Sequence, residues 1–351
     1  MSRLAAIIAL LVLNVASANP DAAIATALSA LRAGDLERAD SAVAEALVAA
    51  PDFELAKALR ADIASLLVGE RSLFDKARLM DLGGSEQRLW RGYAAEIQQR
   101  SRASRAGQQP LGLHAVPDAT ATVLLAETET GQLHVVTRTD NQWRVSRTLY
   151  MSIGKNGAGK HRSGDRRTPL GIYWVVGRLE DRQLPPRYGP LAFPLDYPNA
   201  WDRSLGRSGD GIWLHGTEPS TYARPPRDSD GCLVLSDELL VSLAPRLTAA
   251  DVPVIVATRW RFGQGHATDS TIDALDAAID GWVNEFSSRR ATPTTPLTTS
   301  DVFAADYPEE PGMIVVRFRL IDESAASRYA WKRLYLRKDG DRFRVVATGN
   351  G

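Results

Sequence analysis

Two short stretches determine how this chain is interpreted. Residues 211–217 read Gly-Ile-Trp-Leu-His-Gly-Thr, and residues 229–235 read Ser-Asp-Gly-Cys-Leu-Val-Leu. In the first stretch, His215 ends an apolar strand and precedes a glycine, so its imidazole is expected at the edge of an element beside permissive backbone. In the second, Cys232 is the only cysteine of the chain, and an apolar run follows it. A thiol attacks as the thiolate and needs a nearby group to take its proton, which makes Cys232 the candidate nucleophile and His215 the candidate base.

The glycine before the cysteine supports the same interpretation. Gly231 would let a substrate approach the backbone, and the amide N–H groups around Asp230, Gly231 and Cys232 would bind the oxyanion that forms when a thiolate attacks a carbonyl. The alternative is a lone cysteine that serves as a small buried hydrophobic residue. The other histidines are interpreted as solvated or packed side chains: His114, His134, His161 and His266.

The composition of the chain indicates its general class. The chain has 351 residues, of which 44% are hydrophobic and 24% charged, as in an ordinary globular protein. At about 150 residues per domain, this length predicts two or three domains. The chain has 42 lysine and arginine residues together and 42 aspartate and glutamate residues together. It therefore carries no net positive charge that would attract nucleic acid. The single cysteine excludes an internal disulfide framework and a multi-cysteine zinc site.

The first residues have the pattern of an export signal. Arg3 precedes an apolar run over residues 4–13, and Ala16-Ser17-Ala18 has the form of a signal-peptidase site, so we expect a signal peptide at 1–18. A membrane anchor is the alternative, but the apolar run is well short of the roughly 20 residues that cross a bilayer. No later stretch predicts a transmembrane segment. The expected location is therefore exported, in the periplasmic or cell-wall space.

The rest of the chain divides by its periodicity. Residues 19–105 predict helices with a partial tetratricopeptide pattern, for which a plain helical hairpin is the alternative. Residues 106–117 collect turn formers and predict a linker. The alternating patterns at 123–127, 133–139 and 143–153 predict an antiparallel meander, and 237–247 predicts a helix. A helix at 270–289 and strands at 313–321, 329–337 and 342–348 predict a separate α+β unit over 266–351.

The two stretches, taken together with upstream motifs, resemble the L,D-transpeptidase family with the YkuD-type catalytic domain. The spacing of His215 and Cys232 fits, and further similar motifs occur in the same order: Ser152–Gly157, Lys160, Gly164-Asp165, Thr168-Pro169, Gly171–Tyr173 and Phe193–Asn199. The resemblance covers roughly 120–260 and implies a mostly β catalytic domain at 118–260. By position, it makes Cys232 the nucleophile and His215 the acid/base.

The resemblance also implies a substrate and further roles. The backbone at Asp230 and Gly231 would form the oxyanion site, and the carbonyl of Gly216 would orient His215. Members of this family act on the stem peptides of peptidoglycan, and neither a metal nor an organic cofactor is implied. The implied reaction is transpeptidation through a Cys thioester. An L,D-carboxypeptidase, or a hydrolase that releases wall-attached protein, would use the same pair of residues.

Two positions depart from the family pattern. Many members have His where this chain has Asp230, and Arg where it has Val234. A C-terminal pattern looks similar to a SnoaL-like or nuclear-transport-factor-like cone: Lys332, Leu334–Leu336 and Asp339-Gly340. Together with this pattern, the two departures resemble a branch of the family that includes hydrolases. We hypothesise that the Asp230 carboxylate points outward, because an inward carboxylate would raise the thiol pKa.

Residues between His215 and Cys232 are candidates for substrate binding. Tyr222, Arg224 and Arg227 lie there, and a guanidinium binds carboxylates of a stem peptide in a bidentate manner. A solvated loop is the alternative. The charged residues from Lys160 to Arg167 are interpreted as a turn. A non-catalytic wall-binding scaffold is the competing function of another class, in which the helical arm or the C-terminal domain recruits a protein partner.

Overall fold

The computed structural model describes residues 19–75, 84–247, 252–265, 268–289, 297–322 and 328–350. The predicted signal peptide, with its cleavage point after Ala18, and His266 lie outside the described residues. The chain forms two compact units. The smaller unit comprises the described residues up to Ala103 together with Thr217–Pro226, and the larger comprises Ser104–Gly216 and the described residues from Arg227 onward.

The smaller unit is helical, as predicted. Its helices are α1 (Pro20–Ala33), α2 (Leu36–Ala49), α3 (Glu54–Leu67) and α4 (Gly84–Arg100). The Asn19 side chain accepts the Asp21 N–H at 3.0 Å and caps α1, while Gly34 ends that helix with a φ of 76°. Alanines on the facing sides of the helices are buried and allow close packing. The tetratricopeptide assignment stays a prediction.

The larger unit is mostly β. Its strands are β1 (Gln109–Pro110), β2 (Leu113–Ala115), β3 (Val123–Glu127), β4 (Gln132–Thr139), β5 (Gln142–Tyr150), β6 (Ile153–Gly154), β7 (Gly171–Trp174), β8 (Leu179–Glu180), β9 (Leu191–Pro194), β10 (Trp213–His215), β11 (Arg227–Ser229), β12 (Leu233–Val234), β13 (Pro253–Ala257), β14 (Phe262–Gly263), β15 (Leu297–Asp306), β16 (Met313–Asp322), β17 (Arg328–Asp339) and β18 (Arg342–Asn350). Its helices are α5 (Ala200–Ser204), α6 (Asp237–Leu243) and α7 (Asp269–Ser288).

Three sheets form the layers of this unit. The central sheet has the order β5-β4-β3-β13-β7, the site sheet β12-β10-β9-β8, and the C-terminal sheet β18-β17-β16-β15-β2. In β3, Leu124 and Ala126 belong to one core, which contains Leu214 and Leu233 of the site sheet. This core covers one face of the central sheet. Every residue of β3 is buried although strand side chains alternate, so its other face is covered as well.

The second face of the central sheet packs on the C-terminal sheet. Val123 and Leu125 share a core with Phe303, Val315 and other residues of β15 to β17. The opposite face of the C-terminal sheet packs against α7 through Leu275 and its apolar neighbours. The C-terminal segment therefore shares a core with the catalytic region inside one compact unit, and the boundary predicted at 266 stays a prediction. Its cone-like fold stays a prediction.

Two short strands lie within the predicted linker at 106–117. Within it, β1 pairs with β14 and β2 pairs with β15. These strands have two and three residues, too few for alternation to be visible, and Pro110 occupies a position in an isolated two-stranded pairing where a missing N–H is tolerated.

Candidate functional site

The site is built on two adjacent parallel strands. In the site sheet, β10 pairs with β12 so that Leu214 lies opposite Leu233 and His215 opposite Val234. Cys232 directly precedes β12, two positions before Val234, so it lies on the same face as His215. Strand rise and spacing put the Cα atoms of Cys232 and His215 about 8 Å apart, within reach of their facing side chains. The register therefore puts the candidate base at the end of one strand and the candidate nucleophile just before the neighbouring strand.

The tautomer of His215 follows from its hydrogen bond. Its Nδ1 lies 2.6 Å from the carbonyl oxygen of Gly216, which only accepts, so Nδ1 carries the proton and donates it. The second ring nitrogen, Nε2, is then the basic atom. Gly216 is also held through its own N–H, which donates to the Tyr188 carbonyl at 3.0 Å. The Tyr188 ring stands edge-on to the His215 ring, with centroids 4.9 Å apart. This packing restricts rotation of the imidazole.

Cys232 is nearly buried, with 8% of its surface exposed. Its Sγ lies 3.4 Å from the carbonyl oxygen of Gly211, an acceptor that fits a protonated thiol. The turn before it is shaped by Gly231, whose φ of 130° is rare for other residues. A Cβ at this position would lie 2.8 Å from the Arg167 carbonyl oxygen, so the backbone of that neighbouring segment also requires a glycine.

Two hydroxyl groups hold this turn. Ser229 Oγ accepts the Gly231 N–H at 3.1 Å and donates to the Cys232 carbonyl at 2.7 Å. Thr168 Oγ1 donates to the Gly231 carbonyl at 3.0 Å. The Gly231 N–H is therefore engaged inside the turn, which differs from the oxyanion contact expected for it.

Asp230 points outward, as hypothesised. Its side chain is 76% exposed, and its carboxylate lies 3.7 Å from Nε of Arg166, whose side chain is 60% exposed. A solvated pair of this kind interacts weakly. The acidic side chain therefore extends into solvent although it is two residues from Cys232.

The three candidate substrate-binding residues fall into different units. Arg227 belongs to the larger unit, where its exposed side chain lies beside Gly157. Tyr222 and Arg224 belong to the smaller unit. The Tyr222 ring is buried 4.5 Å from the Phe53 ring, and its hydroxyl donates to Asp21 at 3.0 Å. This residue packs in the helical core instead of presenting a free face to a substrate, and the roles of Arg224 and Arg227 stay predictions.

The charged loop from Lys160 to Arg167 is a well-ordered turn. Asp165 accepts from Lys160 Nζ at 2.8 Å and from the N–H groups of His161, Arg162 and Arg167 at 2.8, 3.0 and 3.1 Å. Burial opposes ionisation of this carboxyl, but these donors hold the pKa of Asp165 well below its usual range. The loop thereby fixes the approach of Thr168 to the nucleophile turn.

A second arrangement has the outline of a catalytic triad. His134 lies 3.1 Å from Thr148 Oγ1 through Nδ1 and 3.0 Å from Glu127 Oε2 through Nε2. His134 and Glu127 are 0% and 1% exposed, so no substrate reaches them. His114 pairs with Asp306 at 2.8 Å, and His161 is exposed. These histidines are packed or solvated, as interpreted from the sequence.

Two residues of the site carry no role in the sequence interpretation. Thr168 belongs to a motif that resembles the family, but only the structure reveals its contact with Gly231. Tyr188 lies in the short helical turn Pro186–Tyr188, and no periodicity marks it as a neighbour of His215. Such residues come from loops whose partners are distant in sequence, which a pattern along the chain does not reveal.

Comparison with known proteins gives a family match for part of the chain and a similar fold for more of it. The family profile described as YkuD, L,D-transpeptidase catalytic domain, matches residues 121–256. No curated protein matches the sequence. The helical cell shape determining protein Pgp2 from Campylobacter jejuni has a similar fold, with a TM-score of 0.55 and 20% identity over 69% of this chain and 95% of that chain. Bd1075 from Bdellovibrio bacteriovorus gives a TM-score of 0.54 and 20% identity over 70% of this chain and 98% of that chain.

Both structures are similar to more of the chain than the family profile covers, so the shared fold extends beyond residues 121–256. The match of that profile spans the strands that carry Cys232 and His215, together with the loop that holds them. Residues 121–256 therefore match the YkuD-type L,D-transpeptidase catalytic domain, which covers about two fifths of the chain.

Proposed function

We propose that this chain is a cysteine L,D-transpeptidase that acts on the stem peptides of peptidoglycan through a thioester on Cys232. The observation that supports the proposal is the β10–β12 register, from which we infer that Cys232 and His215 lie on one face. The Nδ1 bond to Gly216 supports it further, because it leaves Nε2 as the basic atom of His215. A buried structural cysteine would need neither arrangement.

The reaction follows from these two groups. Nε2 of His215 takes the thiol proton, and the Cys232 thiolate attacks the carbonyl carbon of an L-centre in the stem. The C–N bond to the terminal D-amino acid breaks, and its nitrogen takes the proton back from His215. An acceptor amine then attacks the thioester and transfers its own proton through His215 to the departing thiolate. Both halves use one proton carrier, so no further acid is required.

Hydrolysis is the second candidate, and a specific observation favours it. The carboxylate of Asp230 and the apolar Val234 stand where many family members carry His and Arg, so the side chains beside the nucleophile are unusual. With water in place of the acceptor amine, the same steps give an L,D-carboxypeptidase or a hydrolase that releases wall-attached protein. Pgp2 is described as a helical cell shape determining protein, and we extend a role in cell shape to this chain as part of the proposal.

The expected place of action is outside the cytoplasmic membrane, where peptidoglycan lies. The export signal predicted at residues 1–18 supports this location. In the part of the chain that the structure describes, every helix is too short or too polar to cross a membrane. A wall-binding scaffold without activity remains the alternative of another class, and the experiment below distinguishes it.

Mass spectrometry of the purified protein with a disaccharide tetrapeptide tests the proposal, with and without a second stem peptide as acceptor. We expect a cross-linked product that forms only with acceptor and is absent with Cys232→Ala. Loss of the terminal D-amino acid without cross-links would establish the carboxypeptidase instead. The absence of any change with a folded protein would contradict the enzymatic proposal.

A pair of histidine variants controls for the base. His215→Gln should lower kcat by about 100-fold or more, because general-base catalysis commonly contributes that much. His161→Gln changes an exposed histidine of the same unit and should leave kcat unchanged. Equal effects of the two substitutions would remove the assigned role of His215.

A further inference from the structure

We propose that Thr168 is a positioning residue that orients the Gly231–Cys232 peptide for catalysis. The inference rests on the proposed function in assuming that Cys232 is the nucleophile. Thr168 lies just before β7, far from the motif of Cys232 in sequence, and is fully buried. It touches the nucleophile turn only through a backbone carbonyl, so it acts through Cys232 and does not contact substrate.

The hydroxyl of Thr168 joins strand β6 to the nucleophile turn. Its Oγ1 accepts the N–H of Gly154 at 3.0 Å and donates to the carbonyl of Gly231 at 3.0 Å. Because the hydroxyl oxygen accepts from Gly154, its own proton points toward the Gly231 carbonyl. The side chain therefore links the end of β6 to the turn that carries the nucleophile.

This bond sets the direction of a second group. A peptide is planar and trans, so the carbonyl of Gly231 and the N–H of Cys232 point in opposite directions within one rigid plane. By holding that carbonyl, Thr168 aims the Cys232 N–H away from itself. The donor expected to stabilise an oxyanion is thus oriented by a residue that never touches the substrate.

The backbone conformation of Gly231 requires hydrogen bonds from neighbouring segments. Its φ of 130° is a sparsely populated conformation, and Ser229 restrains it only through the Gly231 N–H and the Cys232 carbonyl. Thr168 supplies the restraint on the remaining carbonyl. The backbone that leads into Thr168 is itself restrained, because the preceding Arg167 N–H donates to the half-buried carboxylate of Asp165.

Substitutions that differ by the hydroxyl alone test the proposal. Thr168→Val keeps the volume and removes the hydroxyl, and it should lower kcat by about tenfold or more with KM within twofold. Thr168→Ser should retain kcat within about threefold, since it keeps the hydroxyl. If the valine variant does not fold, Thr168→Ala compared with Thr168→Ser isolates the same group.

Thr128→Val is the matched control. Thr128 is also buried in the larger unit, and its Oγ1 donates to the Ala257 carbonyl at 3.2 Å, away from the nucleophile turn. The Thr128→Val substitution removes a comparable hydrogen bond and should leave kcat within about twofold of that of the unsubstituted protein. If Thr168→Val behaves like Thr128→Val, the positioning role is wrong.

A second readout separates this proposal from the proposed function. The rate at which iodoacetamide alkylates Cys232 needs no wall substrate, and its pH profile reports the surroundings of the thiol. We expect Thr168→Val, and not Thr168→Ser, to change this rate by at least about threefold. A changed rate in a protein inactive on stem peptides would support the positioning role and contradict the substrate. An unchanged rate would overturn the positioning role whatever the substrate.

Discussion

Two features of the site require a glycine at position 231. Its positive φ and the 2.8 Å approach of the Arg167 carbonyl both exclude a side chain. We expect Gly231→Ala to lower the free energy of unfolding by about 2 kcal/mol or more, because strain and a backbone collision add. The displaced turn should also lower kcat. Chemical denaturation and kinetics at pH 7 measure the two effects.

Gly159→Ala is the control for the strain alone. Gly159 has a φ of 80°, but a Cβ there would meet nothing within 4 Å. This substitution should cost about 1 kcal/mol, from backbone conformation only, and leave kcat nearly unchanged. Equal losses at the two positions would show that the contact with Arg167 has no effect.

The residues of the site differ in how far sequence alone identifies them. Cys232 and His215 stand out because a single cysteine and a strand-ending histidine are chemically distinctive. Thr168 does not, since its function depends on the carbonyl of Gly231, which lies 63 residues away in sequence. Tyr222 was expected near substrate because it lies between the two, yet that segment belongs to the helical unit. Proximity in sequence is a poor guide once a loop enters another unit.

At the scale of elements, a buried polar network joins β3, β4 and β5. Glu127 accepts from His134 and from the Trp260 N–H, and Thr148 on β5 contacts His134 from the other side. Burial opposes ionisation of Glu127, but the hydrogen bonds from His134 and Trp260 and the charge of His134 hold the pKa of Glu127 below its ordinary value. The ionised carboxylate is therefore the form that the fold stabilises.

This shift determines how stability depends on pH. A carboxyl whose folded pKa lies below its unfolded pKa stabilises the protein above the unfolded value, and this contribution disappears as pH falls through the folded value. We expect Glu127→Gln to lower the free energy of unfolding by about 1–3 kcal/mol at pH 7. The difference from the unsubstituted protein should shrink as pH falls below about 4.

Urea denaturation at a series of pH values measures this difference. The control is Glu129→Gln, because Glu129 pairs with Arg259 on the surface, where the two side chains are 43% and 67% exposed. Its effect should stay below about 1 kcal/mol at every pH. A loss for Glu127→Gln that grows toward low pH would contradict the assigned direction of the pKa shift.

Elements with clear periodicity were predicted well, and irregular ones were not. The strand at 123–127 and the helix at 270–289 match β3 and α7, since their apolar spacing is regular. Strand β15 was missed, because a register shift between Ser300 and Phe303 interrupts its alternation and Asp301 has a φ of 52°. The short β1 and β2 pair with β14 and β15, which lie much later in the sequence.

For the larger unit as a whole, the C-terminal sheet is part of the same folded body as the catalytic domain. The central sheet buries one face on the site sheet and the other on the C-terminal sheet. Sequence patterns show that strands have apolar faces but not which faces meet, so the C-terminal segment was expected to be separate. A shared core predicts that this unit unfolds in one cooperative transition.

A buried ion pair crosses that shared interface and gives the last prediction. Arg333 of β17 is 2% exposed and pairs with Asp196, which follows β9 and also accepts the Trp174 N–H at 2.8 Å. The Arg333 guanidinium lies 4.2 Å from the centroid of the Trp174 ring. Burial alone would lower the pKa of Arg333, but the charge of Asp196 raises it, so the guanidinium stays ionised. Asp196 is therefore the partner that a buried cation requires.

The two partners should respond unequally to substitution. Asp196→Asn leaves the buried guanidinium without its counter-charge and should lower the free energy of unfolding by about 3 kcal/mol. Arg333→Met removes the cation and keeps most of its volume, so it should cost about 1 kcal/mol, and adding it to Asp196→Asn should recover part of the loss. Urea denaturation of the two single variants and the double variant measures this cycle. A larger loss for Arg333→Met than for Asp196→Asn would mean that stacking on Trp174, and not the buried charge, joins the two sheets.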